Sequence, residues 1–162
     1  MQFLSLRLCK WKRRFAGYVM GLSVLSCVLA VPGAGYSEQP LVVGSDRGGF
    51  LHDRLVELEN LQRNGIRVEL RGRICYSTCT MFLGLPGTCV TPDTIFGFHG
   101  PSRHGRPLSA LDFQYFSEVM AEFYPEPIKT WFMETGRNRI RGVHKIKGAE
   151  LIRLGVLACR TA

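Results

Sequence analysis

The first 37 residues contain no acidic side chain, although the chain has 13 Asp and Glu residues. This segment holds five Lys and Arg residues, and an apolar run from Phe15 to Val31 follows them. A basic start, a short apolar core and small residues after Pro32 are typical of a secretory signal. We therefore predict that residues 1–37 are a signal peptide and that the protein is exported to the periplasm.

The apolar run leaves a second interpretation open. Residues 15–31 number 17, which is at the lower limit for a membrane-spanning helix that needs about 20. An uncleaved helix would keep its basic end in the cytoplasm. The protein would then be anchored to the inner membrane and face the periplasm.

Removal of residues 1–37 also removes most of the positive charge. The net charge of the chain is +8, but residues 38–162 hold 16 basic and 13 acidic side chains, which leaves +3. Nucleic-acid binding usually requires a strongly basic surface, so we expect no nucleic-acid partner. The 125 residues that remain are enough for one domain with a hydrophobic core, but not for two.

Two motifs are absent from the chain. Without a Gly-x4-Gly-Lys-Ser/Thr segment there is no P-loop for ATP, and without a Cys-x2-Cys pair a thiol-disulfide exchange role is disfavoured. We expect no cofactor.

Residues 38–162 contain four cysteines, namely Cys75, Cys79, Cys89 and Cys159. An even number in an exported domain favours disulfides, and three pairings remain open. A zinc site that combines three of these cysteines with His99 is the alternative. The Cys-x3-Cys spacing and the lack of a second close pair argue against it, so we expect disulfides and no metal.

Strand-like and helix-like segments alternate along residues 41–157, which predicts an α/β layer fold. The predicted strands are 41–43, 66–70, 95–99 and 155–157. The predicted helices are 51–63, a buried helix that starts near Ser77, a helix capped by Ser109 with a buried stripe of Phe113, Phe116, Met120 and Phe123, and helices 128–134 and 148–154.

Three local features could carry chemistry. Gly48-Gly49 lies between a strand and a helix, where backbone N–H groups can bind an anion or oxyanion. Ser77 lies where a strand gives way to a helix, and His99 ends a strand and is a suitable general base for serine. Taken singly, each feature has a simpler interpretation: a tight turn, an N-cap serine and a structural histidine.

The segments around these residues resemble motifs of the ClpP/crotonase superfamily. Ser45–Gly49 is similar to the Ser-Pro-Gly-Gly oxyanion segment of ClpP proteases, Cys75–Cys79 to their Ala-Ala-Ser-Met-Gly nucleophile segment, and Phe98–Pro101 to their Ile-His-Gln-Pro segment. Small exported ClpP-like bacterial proteins are closer still, because they contain Cys-Ala-Ser-Ala-Cys-Thr and a later Gly-Phe-His. The resemblance covers about residues 41–157.

The resemblance implies one small ClpP/crotonase-like domain over residues 38–162. Ser77 would be the nucleophile and His99 its general base. The backbone N–H groups of Gly49 or Gly48 and of Thr78 would form the oxyanion hole. The implied activity is a serine hydrolase or peptidase that acts on a peptide or protein, with esters and thioesters as alternatives.

The chain departs from the ClpP pattern in one catalytic residue. ClpP places an Asp before its C-terminal helix, whereas this chain has no Asp after Asp112. His144, Asn138 or a carboxylate from elsewhere are the candidates for the third member. Loss of the orienting group can lower turnover by about 10⁴. A catalytically inactive module that binds a peptide or partner is therefore the alternative function.

The chain also lacks most of the N-terminal strand and helix of ClpP. The ClpP ring is therefore not implied, and a homo-oligomer of another kind stays open.

Overall fold

The computed structural model describes residues 39–160 of the protein. The predicted signal or anchor segment, residues 1–37, lies outside the described residues. Within residues 39–160, no helix is long and apolar enough to span a membrane. These residues form helices and two β-sheets, which confirms the α/β fold class.

Seven strands and four α-helices make up the described domain. The strands are β1 (Leu41–Val43), β2 (Val68–Leu70), β3 (Ile74–Tyr76), β4 (Cys89–Val90), β5 (Ile95–Phe98), β6 (His144–Lys147) and β7 (Leu157–Ala158). The α-helices are α1 (Leu51–Arg63), α2 (Ala110–Ala121), α3 (Ile128–Glu134) and α4 (Gly148–Arg153). Two 3₁₀ helices cover Ser77–Gly84 and Gly136–Asn138.

The strands divide into a parallel sheet and a mixed sheet. The parallel sheet has the order β1-β2-β4-β7, and all its neighbours are parallel. The mixed sheet has the order β3-β5-β6, with β3 parallel and β6 antiparallel to β5. After β1 the chain crosses to the mixed sheet, where Asp46 N–H donates to Ile74 O at 3.0 Å and Tyr76 N–H donates to Asp46 O at 2.9 Å.

The hydrophobic core fixes the two segments from which the candidate residues project. The 3₁₀ helix Ser77–Gly84 is almost wholly buried from Thr78 to Leu83. The last residue of β5, Phe98, is 1% exposed and makes edge-to-face contacts with Tyr124 and Trp131 at 5.5 Å each. Burial of such side chains stabilises the fold by about 2 kcal/mol each. The start of the 3₁₀ helix and the end of β5 are therefore held in place.

Most of the predicted elements are confirmed. β1 and α3 have the predicted bounds, and Ser109 Oγ accepts a hydrogen bond from Asp112 N–H at the start of α2. Strands β4 and β6 were not predicted, because β4 has two residues and Ile146 is the one apolar residue of β6, which is too few to show an alternating pattern.

The buried stripe predicted for α2 is only partly correct. Met120 is buried, whereas Phe113, Phe116 and Phe123 are half-buried. Phe116 lines an open cleft, and Phe113 packs under the guanidinium of Arg137. These two rings therefore lie near the protein surface rather than in the hydrophobic core.

Candidate active site

Ser77 has an unusual backbone conformation at the junction between β3 and the buried 3₁₀ helix. Its φ angle is +57°, in the left-handed region that non-glycine residues rarely adopt. Ser77 is the first residue of the helix; the N-cap is Tyr76, and no side chain caps this end. The N-cap interpretation of Ser77 is therefore wrong. Backbone strain of this kind is concentrated at functional sites, where the surrounding structure maintains it.

The glycine pair lies directly against Ser77. Gly48 has a φ of +82°, and a Cβ on it would lie 2.6 Å from Ser77 Cβ and 2.7 Å from Tyr76 O. A side chain does not fit in that space, so glycine is required by both conformation and contact. The structure thus brings together two segments that are about 30 residues apart in sequence, as the oxyanion-hole prediction needs.

Two of the three predicted oxyanion donors, the N–H groups of Gly48 and Gly49, are engaged within the protein. Gly48 N–H donates to Asp46 Oδ1 at 2.7 Å, and Gly49 N–H donates to Thr78 Oγ1 at 2.9 Å. Thr78 lies in the first turn of the 3₁₀ helix, where backbone N–H groups have no intrahelical acceptor. Its N–H is also close to Gly48, 2.9 Å from the position of a Cβ there. Of the three predicted donors, Thr78 N–H is thus the one without an intrahelical acceptor, and Gly49 N–H already donates to Thr78 Oγ1.

An ion pair that the sequence did not reveal anchors the glycine segment. Asp46 Oδ2 lies 2.5 Å from Arg54 Nη2, and the two side chains are 22% and 10% exposed. Arg54 also pairs with Glu57 at 2.6 Å and stacks over Phe82 at 4.3 Å. The carboxylate of Asp46 thus links the glycine segment to α1 and to the buried helix. The spacing of Asp46 and Arg54 offered no signal, because the two residues lie in different elements.

His99 follows β5 and is oriented by the main chain. Its Nδ1 lies 2.7 Å from Gly100 O. Because a carbonyl oxygen only accepts, this hydrogen bond requires a proton on Nδ1. In the neutral ring Nε2 then carries the free lone pair, which is the tautomer that a general base for serine needs.

Ser77, His99, Gly48 and Gly49 line one open cleft of about 660 Å³. This volume is in the usual range for a ligand site. In the described residues no hydrogen bond joins Ser77 to His99. Catalytic hydrogen bonds are often long without substrate and tighten when it binds. The cleft therefore brings together Ser77, His99 and the glycine pair, whereas Thr78 and the candidates for the third member are not among the residues that line it.

The two candidates for the third member line a different cleft. His144 pairs with Phe98 across β5 and β6 and packs edge-to-face on Trp131 at 5.7 Å. Asn138 Nδ2 donates to Glu134 O at 2.8 Å. Neither residue shares a hydrogen bond with His99 in the described part of the chain. Desolvation, and then the charge of Arg139, lower the pKa of His144 below its usual value.

The four cysteines form two disulfides, which confirms the disulfide prediction. Cys75 pairs with Cys79, and Cys89 pairs with Cys159. The zinc interpretation is wrong, because paired sulfurs have no thiolate to donate to a metal. Cys75 and Cys79 lie two residues on either side of Ser77 and are 1% and 0% exposed. Their buried disulfide therefore closes a short loop around the candidate nucleophile.

Fold and site together define an α/β domain with a serine–histidine cleft. Neither protein-family models nor curated proteins give any match to this chain. The resemblance to ClpP-like proteins therefore depends on the short motifs and their order.

Proposed function

We propose that the protein is an exported serine hydrolase of the ClpP/crotonase-like type that acts on peptide bonds. The observation that carries this proposal is the backbone of Ser77, held at a φ of +57° in the cleft that also contains His99. A left-handed backbone is costly for serine and is concentrated at functional sites, and a nucleophile benefits from a position at the start of a helix beside a cleft.

The geometry suggests how the reaction proceeds. His99 Nε2 accepts the proton of Ser77 Oγ, which attacks the substrate carbonyl and forms a tetrahedral oxyanion. Thr78 N–H and the released Gly49 N–H donate to that oxyanion. His99 then protonates the leaving amine, and a water molecule deprotonated by His99 attacks the acyl-serine and releases the carboxylate product.

Gly100 takes the role that an Asp fulfils in ClpP. Its carbonyl holds the Nδ1–H tautomer of His99, but a neutral dipole stabilises the imidazolium less than a carboxylate does. We therefore expect slow turnover, and esters or thioesters to react faster than amides because their leaving groups need less protonation.

The disulfides support export. Two disulfides in a domain of this size are typical of an oxidising compartment. A periplasmic location, either free or anchored through residues 15–31, accounts for them.

A catalytically inactive module that binds a peptide or partner is the second candidate. The specific observation in its favour is that Gly48 and Gly49 N–H both donate to side chains of the protein itself. If those bonds persist with substrate, the cleft binds a peptide but does not stabilise an oxyanion.

A fluorophosphonate probe separates the two candidates. The oxidised protein should be labelled, and Ser77→Ala and His99→Ala should each abolish labelling. Ser102→Ala removes another hydroxyl from the same cleft and should leave labelling unchanged. A folded wild-type protein that is not labelled would contradict the hydrolase and favour the binding module.

A further inference from the structure

The cleft around Ser77 contains basic side chains but no acidic one. Arg47, from the segment between β1 and α1, and Arg103, from the loop after β5, both line it. Among the described residues that line the cleft there is no Asp or Glu. Two positive side chains without a nearby carboxylate attract an anionic ligand.

Neither arginine forms an ion pair with another side chain of residues 39–160. The ion pairs of the described residues use Arg54, Arg63, Arg71 and Arg153. Asp46 is the acid next to Arg47 in sequence, but its two oxygens are occupied by Gly48 N–H and Arg54. Arg47 and Arg103 are both exposed, so a ligand can reach their guanidinium groups.

The position of Arg103 is set by a tight turn. Arg103 and Arg106 exchange two backbone hydrogen bonds of 3.0 Å each, and His104 and Gly105 between them have φ angles of +51° and +73°. Two positive φ angles are typical of a two-residue type I′ turn. The rings of His104 and Phe50 are perpendicular, with their centroids 6.4 Å apart, and this contact connects the turn to the start of α1.

Apolar surface lies beside the two arginines. Phe50 is 70% exposed, and Leu108 and Phe116 also line the cleft. An exposed aromatic ring next to unpaired guanidinium groups matches a ligand that has an apolar side chain beside a carboxylate. Arg binds carboxylates well because its planar group can donate two parallel hydrogen bonds.

We propose that the cleft selects peptides that carry a carboxylate beside an apolar side chain, with Arg47 and Arg103 as specificity-determining residues. The proposal rests on the proposed function for the peptide nature of the ligand. The preference for a carboxylate does not require Ser77 to react, so it can be tested separately from catalysis.

The test measures peptide binding to oxidised Ser77→Ala protein, which cannot turn over its ligand. Fluorescent amidated hexapeptides that differ only in Glu or Gln beside Phe are compared by anisotropy at 50 and 500 mM salt. We expect about five- to tenfold tighter binding of the Glu peptide at low salt, and a smaller ratio at high salt.

Variants assign the preference to the two arginines. Arg47→Gln/Arg103→Gln should bring the Glu and Gln peptides to equal affinity. The matched control Arg63→Gln, in an exposed pair with Glu59 on α1, should keep the preference. Equal binding of both peptides to the parent protein, no binding of either, or a preference that persists in the double variant would overturn the proposal.

The outcome is distinguishable from that of the proposed function. A Glu preference together with an absence of fluorophosphonate labelling would contradict the hydrolase and retain the carboxylate selection. Labelling of Ser77 without a Glu preference would retain the hydrolase and contradict the selection.

Discussion

The parallel sheet and the mixed sheet differ in what they carry. The parallel sheet β1-β2-β4-β7 holds no residue of the candidate centre, and the Cys89–Cys159 disulfide ties its strand β4 to the chain just after β7. The mixed sheet β3-β5-β6 leads directly into Ser77 at the end of β3 and into His99 at the end of β5.

The two disulfides differ in the same way as the two sheets. Cys89–Cys159 spans 70 residues, whereas Cys75–Cys79 spans four and encloses Ser77. A long loop restricts the unfolded chain far more than a short one. We therefore expect the long disulfide to contribute mainly to stability and the short one mainly to hold the conformation of the cleft.

The largest expected effect is on stability, from removal of the long disulfide. Cys89→Ser/Cys159→Ser should lower the free energy of unfolding by about 4 kcal/mol, because a 70-residue loop is released in the unfolded state. Urea unfolding measures this change. The rate of fluorophosphonate labelling of the folded variant at 25 °C should stay near that of wild type. A large loss of labelling in the folded variant would contradict the claim that the parallel sheet carries no part of the candidate centre.

The short disulfide should show the reverse pattern. Cys75→Ser/Cys79→Ser should lower the free energy of unfolding by only about 2 kcal/mol. Its labelling rate should nevertheless fall at least tenfold, since Ser77 loses the loop that maintains its positive φ. Labelling at the wild-type rate in this variant would show that the disulfide does not position Ser77.

A smaller effect is expected from His144, on the outer strand of the mixed sheet. Because its pKa is lowered in the fold, the folded state binds a proton less readily than the unfolded state does. Its contribution to stability is therefore present above pH 6.5 and is lost as the pH falls from 6.5 through the lowered pKa.

Unfolding of wild type and His144→Gln at pH 7.5 and pH 5 checks this prediction. The stability difference between the two proteins should shift against wild type at pH 5. NMR titration should place the pKa of His144 below 6.5. A pKa above 6.5 would contradict this prediction, because it would require an acidic partner whose effect outweighs both desolvation and the charge of Arg139.

The sequence predicted four of the residues that line the cleft, Gly48, Gly49, Ser77 and His99, but neither its two arginines nor the contacts that hold the four in place. Gly48, Ser77 and His99 were identifiable because glycine pairs, a strand-to-helix serine and a strand-end histidine are local signals. The contact of His99 with Gly100 O and the occupation of Gly49 N–H by Thr78 Oγ1 were not predictable. The first is a main-chain contact open to any residue type, and the second depends on packing between distant segments.

The same limit applies to the third member and to the disulfides. His144 and Asn138 were chosen from their place near the C-terminal helix, yet the antiparallel pairing of β5 with β6 places His144 opposite Phe98 rather than beside the His99 ring. Four cysteines predicted disulfides, but their pairing follows from the parallel neighbours β4 and β7. Strands of two residues give no pattern from which that neighbourhood could be deduced.

The most direct test of the central claim is to map the fluorophosphonate adduct on oxidised wild-type protein by peptide mass spectrometry. The account predicts one adduct per chain, on Ser77. No adduct on a folded protein, or an adduct on another hydroxyl such as that of Ser102, would contradict the claim that the mixed sheet presents an activated serine.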